Sequence, residues 1–451
     1  RAEIELTAAG GKLPTWELAN IEGKPIRRTD ADGTVHLSWS WEEIPEAPPD
    51  LPPPPPLLTT PYLAYSNHPD WGSLAAWYQR HVAPRLLASR QVVETAHRLT
   101  DGLKTRDEKI AALYRFVTDK IRYVALEFGE HRFRPFSADW VLRHRMGDCK
   151  DKAALLVSLL GTLKIPARMV LIRTADQGPV AVKMGLLSDF NHAIAYLPDE
   201  DRYLDGTATG HDPTRPPGPD QGAWSIVIDG PSSAPRTTPL VGSGEGRRTV
   251  KIAVPRGGRT ATLSVTLHAT GDAADRVRGA FAGSVDRQRF SRWLQRLFPS
   301  ASLTADPSTS LNPGQDPATI KLVASVPVAV LASAPGLRAY PGRLALTGSL
   351  APVARRTTPL EIPERPDLHW SLEVDLGRPP APLPEDVHLD GPNGRLDLRF
   401  EATATGYTVT GDLHLEAGLV PAASYGALHD FLVRVDRELA RRMEAPTEAT
   451  R

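Results

Sequence analysis

The chain has 451 residues, 41% of them hydrophobic, so it is long enough to bury about two or three separate cores. Its 53 basic and 53 acidic residues give a formal net charge of zero without long runs of one sign, which argues against a nucleic-acid partner. One cysteine excludes an intramolecular disulfide framework and a multi-cysteine zinc site, and the sequence predicts no membrane span. Since the first residue is Arg1, we expect that an upstream segment was trimmed or processed.

Alternating polar and apolar residues predict β-strands near the N-terminus. "TWELAN" (15–20) and "GTVHLSWSWEEI" (33–44) have the period of half-buried strands. The stretch "PEAPPDLPPPPPLLTTP" (45–61) lacks backbone donors and favours an extended polyproline conformation, so we expect neither helix nor inner strand there. Residues 1–62 are therefore predicted to be the C-terminal part of a β-rich domain followed by a proline-rich linker.

The next region mixes helical and strand patterns, up to a second proline-rich loop at 211–222. "RDEKIAALYRFVTDKIRYV" (106–124) has apolar residues at helical spacing. A second helix is predicted to begin at Cys149, with Asp148 as its N-cap and Asp151 on its solvated face. Four short strands are expected after it, at 167–174, 191–197, 202–205 and 224–229. Residues 63–235 are thus predicted to be an α+β domain in which a cysteine-bearing helix packs on an antiparallel sheet.

Strand patterns dominate the remainder, residues 236–451, which we predict to be a C-terminal β-rich domain. Two helical stretches interrupt it, at 273–298 and 422–443, and a third proline-rich loop lies at 377–387. Only 11 of the 53 basic residues are lysines, which we interpret as a compositional bias towards arginine rather than a binding patch. No group of residues in this region indicates chemistry.

Three residues of the middle region have the types that cysteine catalysis needs. A thiol, an imidazole that takes its proton and a carboxylate that orients the imidazole are provided by Cys149, His192 and Asp205. The predicted helix N-terminus favours negative charge at Cys149, and the flanking Lys150 and Lys152 add a positive field if they point towards it. Two adjacent antiparallel strands joined by "PDED" would present the histidine and the aspartate side by side.

The motifs "GDCKDKAALLVSLL", "FNHAIAYL" and "YLDGT" resemble the Cys, His and Asp motifs of the transglutaminase-like superfamily. More narrowly, they resemble the bacterial branch in which this domain follows a β-rich domain called DUF3857, which residues 1–62 would end. The resemblance implies a papain-like fold, a thioester intermediate on Cys149, and an extracytoplasmic location, periplasmic or secreted. It leaves the substrate open, because the superfamily includes crosslinking enzymes, proteases and inactive relatives.

The donors that would stabilise an oxyanion are less defined. The backbone N–H of Cys149 is the natural first donor, and a second usually comes from an upstream side chain. Tyr123, His131 and Trp140 are available, of which we favour Tyr123 because it ends the passage "KIRYV". Asn191 is a supporting candidate that also has a simpler interpretation, shaping the entry into the strand.

The sequence thus predicts a cysteine-dependent acyl transfer or hydrolysis of amide bonds, in a peptide or a glutamine carboxamide, with a peptide or protein substrate and without a cofactor. The alternative is a catalytically silent scaffold protein of the same fold that binds partners through its β-rich domains. A metal-dependent hydrolase is a weaker third possibility, since no "HExxH" motif occurs and the histidines of "HRFRPF" and "RHRMGDC" lack a matching ligand set.

Overall fold

The computed structural model describes residues 1–44, 50–178, 180, 182–241, 244–254, 258–281, 286–312, 316–333, 337–362 and 367–446. The chain forms two compact units: an N-terminal unit of Arg1–Pro49 and Pro53–Val241, and a C-terminal unit of Gly242–Arg451 with Asp50–Pro52. Both contain helices and mainly antiparallel sheet, so the fold is α+β, with additional β-rich regions around the core. The division into three domains at 62 and 235 stays a prediction.

The N-terminal unit contains six helices and twelve strands in its described part. The helices are α1 (Pro56–Thr59), α2 (Trp71–Val82), α3 (Arg90–Leu99), α4 (Arg106–Lys120), α5 (Ala138–His144) and α6 (Cys149–Thr162). The strands are β1 (Ala2–Ala8), β2 (Thr15–Ala19), β3 (Ile26–Thr29), β4 (Val35–Trp41), β5 (Tyr62–Ser66), β6 (Arg122–Tyr123), β7 (Met146–Gly147), β8 (Arg168–Arg173), β9 (His192–Leu197), β10 (Arg202–Leu204), β11 (Trp224–Val227) and β12 (Pro235–Thr237).

Four sheets organise these strands. The first 66 residues supply a three-stranded sheet in the order β1-β4-β3 and the pair β2-β5. A five-stranded antiparallel sheet follows, in the order β10-β9-β8-β11-β12. The short strands β6 and β7 form a parallel pair. The strands expected at 167–174, 191–197, 202–205 and 224–229 therefore all lie in the five-stranded sheet.

Helix α6 occupies the centre of this unit. It packs against β9 of the five-stranded sheet and against helices α3, α4 and α5. Every residue from Lys150 to Leu160 is buried. A helix that is covered on all sides is stabilised by the burial of its apolar surface. This burial contributes roughly 25 cal/mol of stabilising free energy per Å². The position of Cys149 is thus set by a rigid element rather than by a loop.

The C-terminal unit is built on one large sheet. Its strands are β13 (Gly246–Ala253), β14 (Thr260–Ala269), β15 (Ser302–Leu303), β16 (Ser308–Ser310), β17 (Ala318–Pro327), β18 (Leu360–Ile362), β19 (Asp367–Asp375), β20 (Val387–Gly391), β21 (Gly394–Thr403), β22 (Gly406–Leu415) and β23 (Gly418–Val420). Its helices are α7 (Gly271–Phe281), α8 (Arg287–Leu297), α9 (Val328–Ala332), α10 (Leu346–Leu350) and α11 (Ala422–Leu439). The main sheet has the order β15-β17-β14-β13-β19-β22-β21-β20, in which β13 and β19 are parallel; β16 also pairs with β17, and β18 pairs with β23.

Three local predictions differ from the structure. The proline-rich stretch contains the short helix α1, because a proline in the first turn of a helix needs no N–H donor; its residues 45–49 lie outside the described part. Alternating residues at 317–331 predict one strand, but β17 ends at Pro327 and the chain continues as helix α9. The helical stretch at 273–298 forms two helices, with residues 282–285 outside the described part.

Candidate active site

The N-terminus of α6 is closed by a capping box. The Asp148 side chain accepts a hydrogen bond from the Asp151 amide, and the Asp151 carboxylate accepts one from the Asp148 amide, at 3.0 Å. Asp151 also accepts from the amide of Phe136 at 2.8 Å. Asp151 is fully buried, so the expectation that it lies on a solvated helix face is wrong. Burial and the charge of Asp148 raise its pKa to about 6.

The two lysines beside Cys149 point elsewhere. Lys150 is buried and forms an ion pair with Asp148. The ammonium group of Lys152 donates to the backbone carbonyl of Ile121 at 2.8 Å, and burial lowers the pKa of this lysine. The two ammonium groups therefore do not point at the thiol, and the expected positive field from them is absent from this geometry. The reason is that α6 is covered on every side, so each ammonium group must bind an acceptor inside the unit.

His192 and Asp205 are brought together by a hairpin. His192 begins β9, and Asp205 follows the last residue of β10, which pairs antiparallel with β9. In an antiparallel hairpin, the first residue of one strand and the last residue of the other lie at the same end of the pair. His192 Nε2 lies 3.2 Å from Asp205 Oδ1, and the Asp205 carboxylate also accepts from the amide and hydroxyl of Thr207 at 2.7 Å each.

The thiol of Cys149 completes this group. It lies close enough to His192 to raise the pKa of that imidazole, and the Cys149 side chain is partly exposed. Because Nε2 of His192 faces Asp205, Nδ1 is the ring nitrogen left to exchange a proton with the thiol. The structure thus brings Cys149, His192 and Asp205 together at one place.

Charge and burial oppose each other at the buried pair. Burial alone would lower the pKa of His192, but the charge of Asp205 and hydrogen bonds to Asp205 and Cys149 raise it to about 11. Burial would raise the pKa of Asp205, yet His192 and Thr207 hold it below its usual range. An imidazolium paired with a carboxylate is therefore the favoured state near neutral pH.

Asp220 is a further carboxyl group at this site that sequence reasoning missed. It lies in the proline-rich loop at 211–222, within a short turn at Gly218–Asp220. It is 2% exposed, and its Oδ2 atom has no hydrogen-bond partner among the described residues. Burial and the charge of Asp205 raise its pKa to about 8. A loop without periodic pattern carries no signal for such a contact, which depends on how the loop packs against the sheet.

His192, Asp205 and Asp220 each offer a ligand atom, and these atoms all lie within 4.8 Å of one another. Imidazole and carboxylate donors are a set that Zn²⁺ accepts. In the described part of the chain this is the one group of three or more potential ligands with such spacing. Asp205 and His192 already bind each other there, so a cation would have to replace their direct hydrogen bond.

The supporting residues have separate positions. Tyr123 pairs with Gly147 in the parallel β6–β7 pair, and it is 51% exposed. Burial of its hydroxyl, with the nearby Cys149, raises its pKa to about 12. The Asn191 side chain binds Thr174, accepting from the amide at 2.9 Å and donating to the hydroxyl at 2.8 Å, which favours a role in the strand entry.

His131 and Trp140 belong to a stack of rings. His131 stacks on Phe136 with ring centroids 3.6 Å apart, and Phe136 stacks on Trp140 at 4.1 Å. The imidazole of His131 is also hydrogen-bonded to the carbonyl of Arg134 at 3.2 Å. Both side chains therefore have packing roles. Tyr123, in contrast, lies near enough to Cys149 for the thiol to contribute to its raised pKa.

Family comparisons match two parts of the chain. Residues 93–203 match the transglutaminase-like superfamily, a range that includes Cys149 and His192 and ends just before Asp205. Residues 341–444 match a domain of unknown function with a solved structure, DUF3858. The associated domain that this match identifies is DUF3858, and it lies in the C-terminal unit. The resemblance in the sequence analysis had instead named DUF3857, for the N-terminal residues. No curated protein matches the sequence.

Two solved structures are similar to the chain. A candidate protease from Parabacteroides distasonis ATCC 8503, solved at 2.00 Å, is 13% identical with a TM-score of 0.63, over 97% of this chain and 71% of that protein. A candidate cysteine protease from Cytophaga hutchinsonii is 15% identical, over 46% of this chain and 75% of that protein. Its TM-score of 0.22 is too low to indicate a shared fold. The first likeness supports the fold. The matched sequence model supports a transglutaminase-like superfamily domain at residues 93–203.

Proposed function

We propose that the chain is a cysteine-dependent hydrolase or acyl transferase that acts on amide bonds in a peptide or a glutamine side chain. The observation that supports this most is the proximity of Cys149 to His192, whose Nε2 atom lies 3.2 Å from Asp205 Oδ1. A thiol, an imidazole and an orienting carboxylate in this order are what nucleophilic catalysis by cysteine requires.

In the proposed first half-reaction, the His192 imidazolium holds the proton that Cys149 has given up, and the thiolate sulfur attacks the amide carbonyl carbon. The tetrahedral intermediate breaks its C–N bond, and the imidazolium returns the proton to the leaving amine. The acyl group is then held as a thioester on Cys149. Asp205 holds the ring orientation and stabilises the cation throughout, which its fixed hydrogen bonds to Thr207 favour.

In the second half-reaction, water or an amine attacks the thioester carbon and loses a proton to His192. The C–S bond breaks, and the Cys149 thiolate is again paired with the His192 imidazolium. Water gives hydrolysis and an amine gives transamidation. The developing oxyanion would be stabilised by the backbone N–H of Cys149, one of the first-turn amides that have no acceptor within the helix, and by the Tyr123 hydroxyl.

The first test uses the fact that the chain has one cysteine. Iodoacetamide labels only Cys149, and intact mass measures the rate of labelling in native and urea-unfolded protein. We expect native protein to be labelled several-fold faster, since His192 takes up the proton of the thiol, and we expect His192→Ala to remove this advantage. His97→Ala, at an exposed position of α3, is the control. A native thiol that reacts only after unfolding would favour the silent scaffold protein instead.

The second test measures turnover with casein as the probe. New N-termini detected by mass spectrometry report hydrolysis, and incorporation of dansylcadaverine reports transamidation. Cys149→Ser should abolish both signals, and EDTA should leave them unchanged. Loss of activity with EDTA but not with Cys149→Ser would assign the reaction to a metal held by the histidine and carboxylate groups and would overturn the proposal.

A further inference from the structure

The C-terminal unit contains a cavity of about 600 Å³, a volume typical of small-molecule sites. Helices α7 and α8 supply one part of its wall, and strands β13, β14 and β19 supply another. All residues of the wall belong to the C-terminal unit, and none belongs to the group around Cys149. The cavity is therefore a separate candidate binding site.

Five arginines line this cavity. They are Arg248, Arg276, Arg289, Arg292 and Arg296. Among the described residues of the wall, Asp367 is the one carboxylate, and it is paired with His414. The whole chain has a formal net charge of zero, so this concentration of cations is local. Crowded guanidinium groups repel one another, and an anion in the cavity would relieve that repulsion.

The spacing along α8 places three of these arginines on one helix face. Arg289, Arg292 and Arg296 are three and four residues apart, and Trp293 lies among them. Arg292 and Arg296 are exposed, with no ion pair within the described part of the chain. Because arginine is abundant throughout the sequence, these three residues do not stand out there as a binding site. Only the position of α8 against the sheet shows that they line one cavity.

Arg248 is already held in position at the cavity. Its guanidinium lies 5.8 Å from the ring centroid of Trp293 and 5.6 Å from that of Tyr340, and it donates to the Tyr340 hydroxyl at 3.0 Å. Its Nε atom is buried without a hydrogen-bond partner among the described residues. A planar guanidinium fixed by aromatic rings is well suited to bind a carboxylate or phosphate.

We propose that this cavity binds a small polyanion carrying at least two carboxylate or phosphate groups, which contact Arg248 and the arginine face of α8. The apolar part of the ligand lies against Trp293, whose side chain is partly exposed in the wall. The proposal is independent of the reaction at Cys149, and it makes the C-terminal unit a ligand-binding module.

Isothermal titration calorimetry of the whole chain tests the proposal with pyrophosphate and citrate as probes and acetate as the single-charge control. We expect one of the two polyanions to bind with 1:1 stoichiometry, and acetate to bind at least tenfold more weakly. Preference for pyrophosphate identifies a phosphate ligand, and preference for citrate identifies a carboxylate ligand. Failure of both probes to bind at millimolar concentration would overturn the proposal.

The variant Arg292→Gln/Arg296→Gln should weaken binding of the preferred probe at least tenfold. The matched control is Arg399→Gln/Arg434→Gln, which removes the same charge from exposed positions elsewhere in the same unit and should change affinity less than twofold. Equal losses in both double variants would mean general charge attraction and would contradict a built site. If the first variant does not fold, Arg276→Gln on α7 replaces it, with an expected loss of about threefold or more.

Discussion

Oδ1 of Asp205 lies 3.2 Å from Nε2 of His192, at the edge where β9 begins and β10 ends. Asp205 is buried and His192 is partly buried, and the carboxylate is fixed by two further hydrogen bonds from Thr207. The hairpin therefore presents an oriented imidazole to the start of α6, where Cys149 lies.

Asp205→Asn is expected to lower turnover by about 10²–10⁴-fold while leaving the fold intact. An amide can hold the ring, but it cannot stabilise the positive charge that the Asp205 carboxylate now balances. Casein turnover measures the effect, with circular dichroism as the check on folding. A variant with unchanged kcat would show that another carboxyl group balances the imidazolium.

Asp151→Asn is expected to act on stability instead of chemistry. Asp151 accepts hydrogen bonds from the amides of Asp148 and Phe136, and an asparagine oxygen can serve only one of them well. We expect a loss of about 1–2 kcal/mol in the free energy of unfolding, with little change in the turnover of the folded protein. Urea unfolding measures the former. Equal losses of turnover for Asp151→Asn and Asp205→Asn would mean that the catalytic carboxylate was wrongly chosen.

Asp220→Asn is expected to stabilise the protein in a pH-dependent way. Burial and the charge of Asp205 raise the pKa of Asp220 to about 8. The folded protein therefore keeps a proton on this carboxyl group that the unfolded chain loses above about pH 4. The folded state then binds more protons than the unfolded state, and the stability of the wild-type protein falls as pH rises from 4 to 8. The variant lacks this penalty, and its advantage should reach about 2–4 kcal/mol at pH 7.

Urea unfolding at pH 5, 6, 7 and 8 measures that advantage. Asp176→Asn removes an exposed carboxylate that also acts on Asp220, and it is the control for long-range charge. We expect it to change stability by less than about 0.5 kcal/mol. An advantage of Asp220→Asn that does not grow with pH would show that Asp220 is ionised in the folded protein.

Gly147→Ala is expected to disturb the start of α6. An added Cβ would lie 2.6 Å from the Asp151 Cβ, which is closer than two such atoms can approach. We expect a loss of about 1–3 kcal/mol and slower labelling of Cys149 by iodoacetamide. Gly161→Ala, near the other end of the same helix, meets no atom within 4 Å and should be neutral or slightly stabilising. Similar effects of both changes would contradict this close contact.

Tyr123→Phe tests the second oxyanion donor. The pKa of Tyr123 is raised to about 12, so its hydroxyl keeps the proton that it would donate at neutral pH. If it stabilises the oxyanion, its removal should lower kcat about tenfold or more and leave KM and the unfolding midpoint unchanged. Tyr65→Phe, at another exposed tyrosine, is the control. An unchanged kcat would show that the Tyr123 hydroxyl does not stabilise the oxyanion, which would leave the Cys149 amide as the one proposed donor.

No helix among the described residues is both long and apolar enough to cross a membrane, in agreement with the sequence. That property, the strand pattern around His192 and the helix start at Asp148 depend on neighbouring residues, and local patterns therefore predicted them. The hairpin geometry follows as well, because "PDED" is short enough to force β9 and β10 to pair antiparallel.

Other features were decided only by the tertiary structure. Helical spacing predicts an exposed face for α6, yet packing on all sides buries Asp151 and turns Lys150 and Lys152 to internal acceptors. Asp220 reaches His192 and Asp205 from a loop without pattern, and the arginines of the C-terminal cavity meet only when α7 and α8 lie against the sheet. Periodicity and capping are properties of adjacent residues, whereas burial, side-chain direction and the meeting of distant loops depend on long-range packing, which no local pattern encodes.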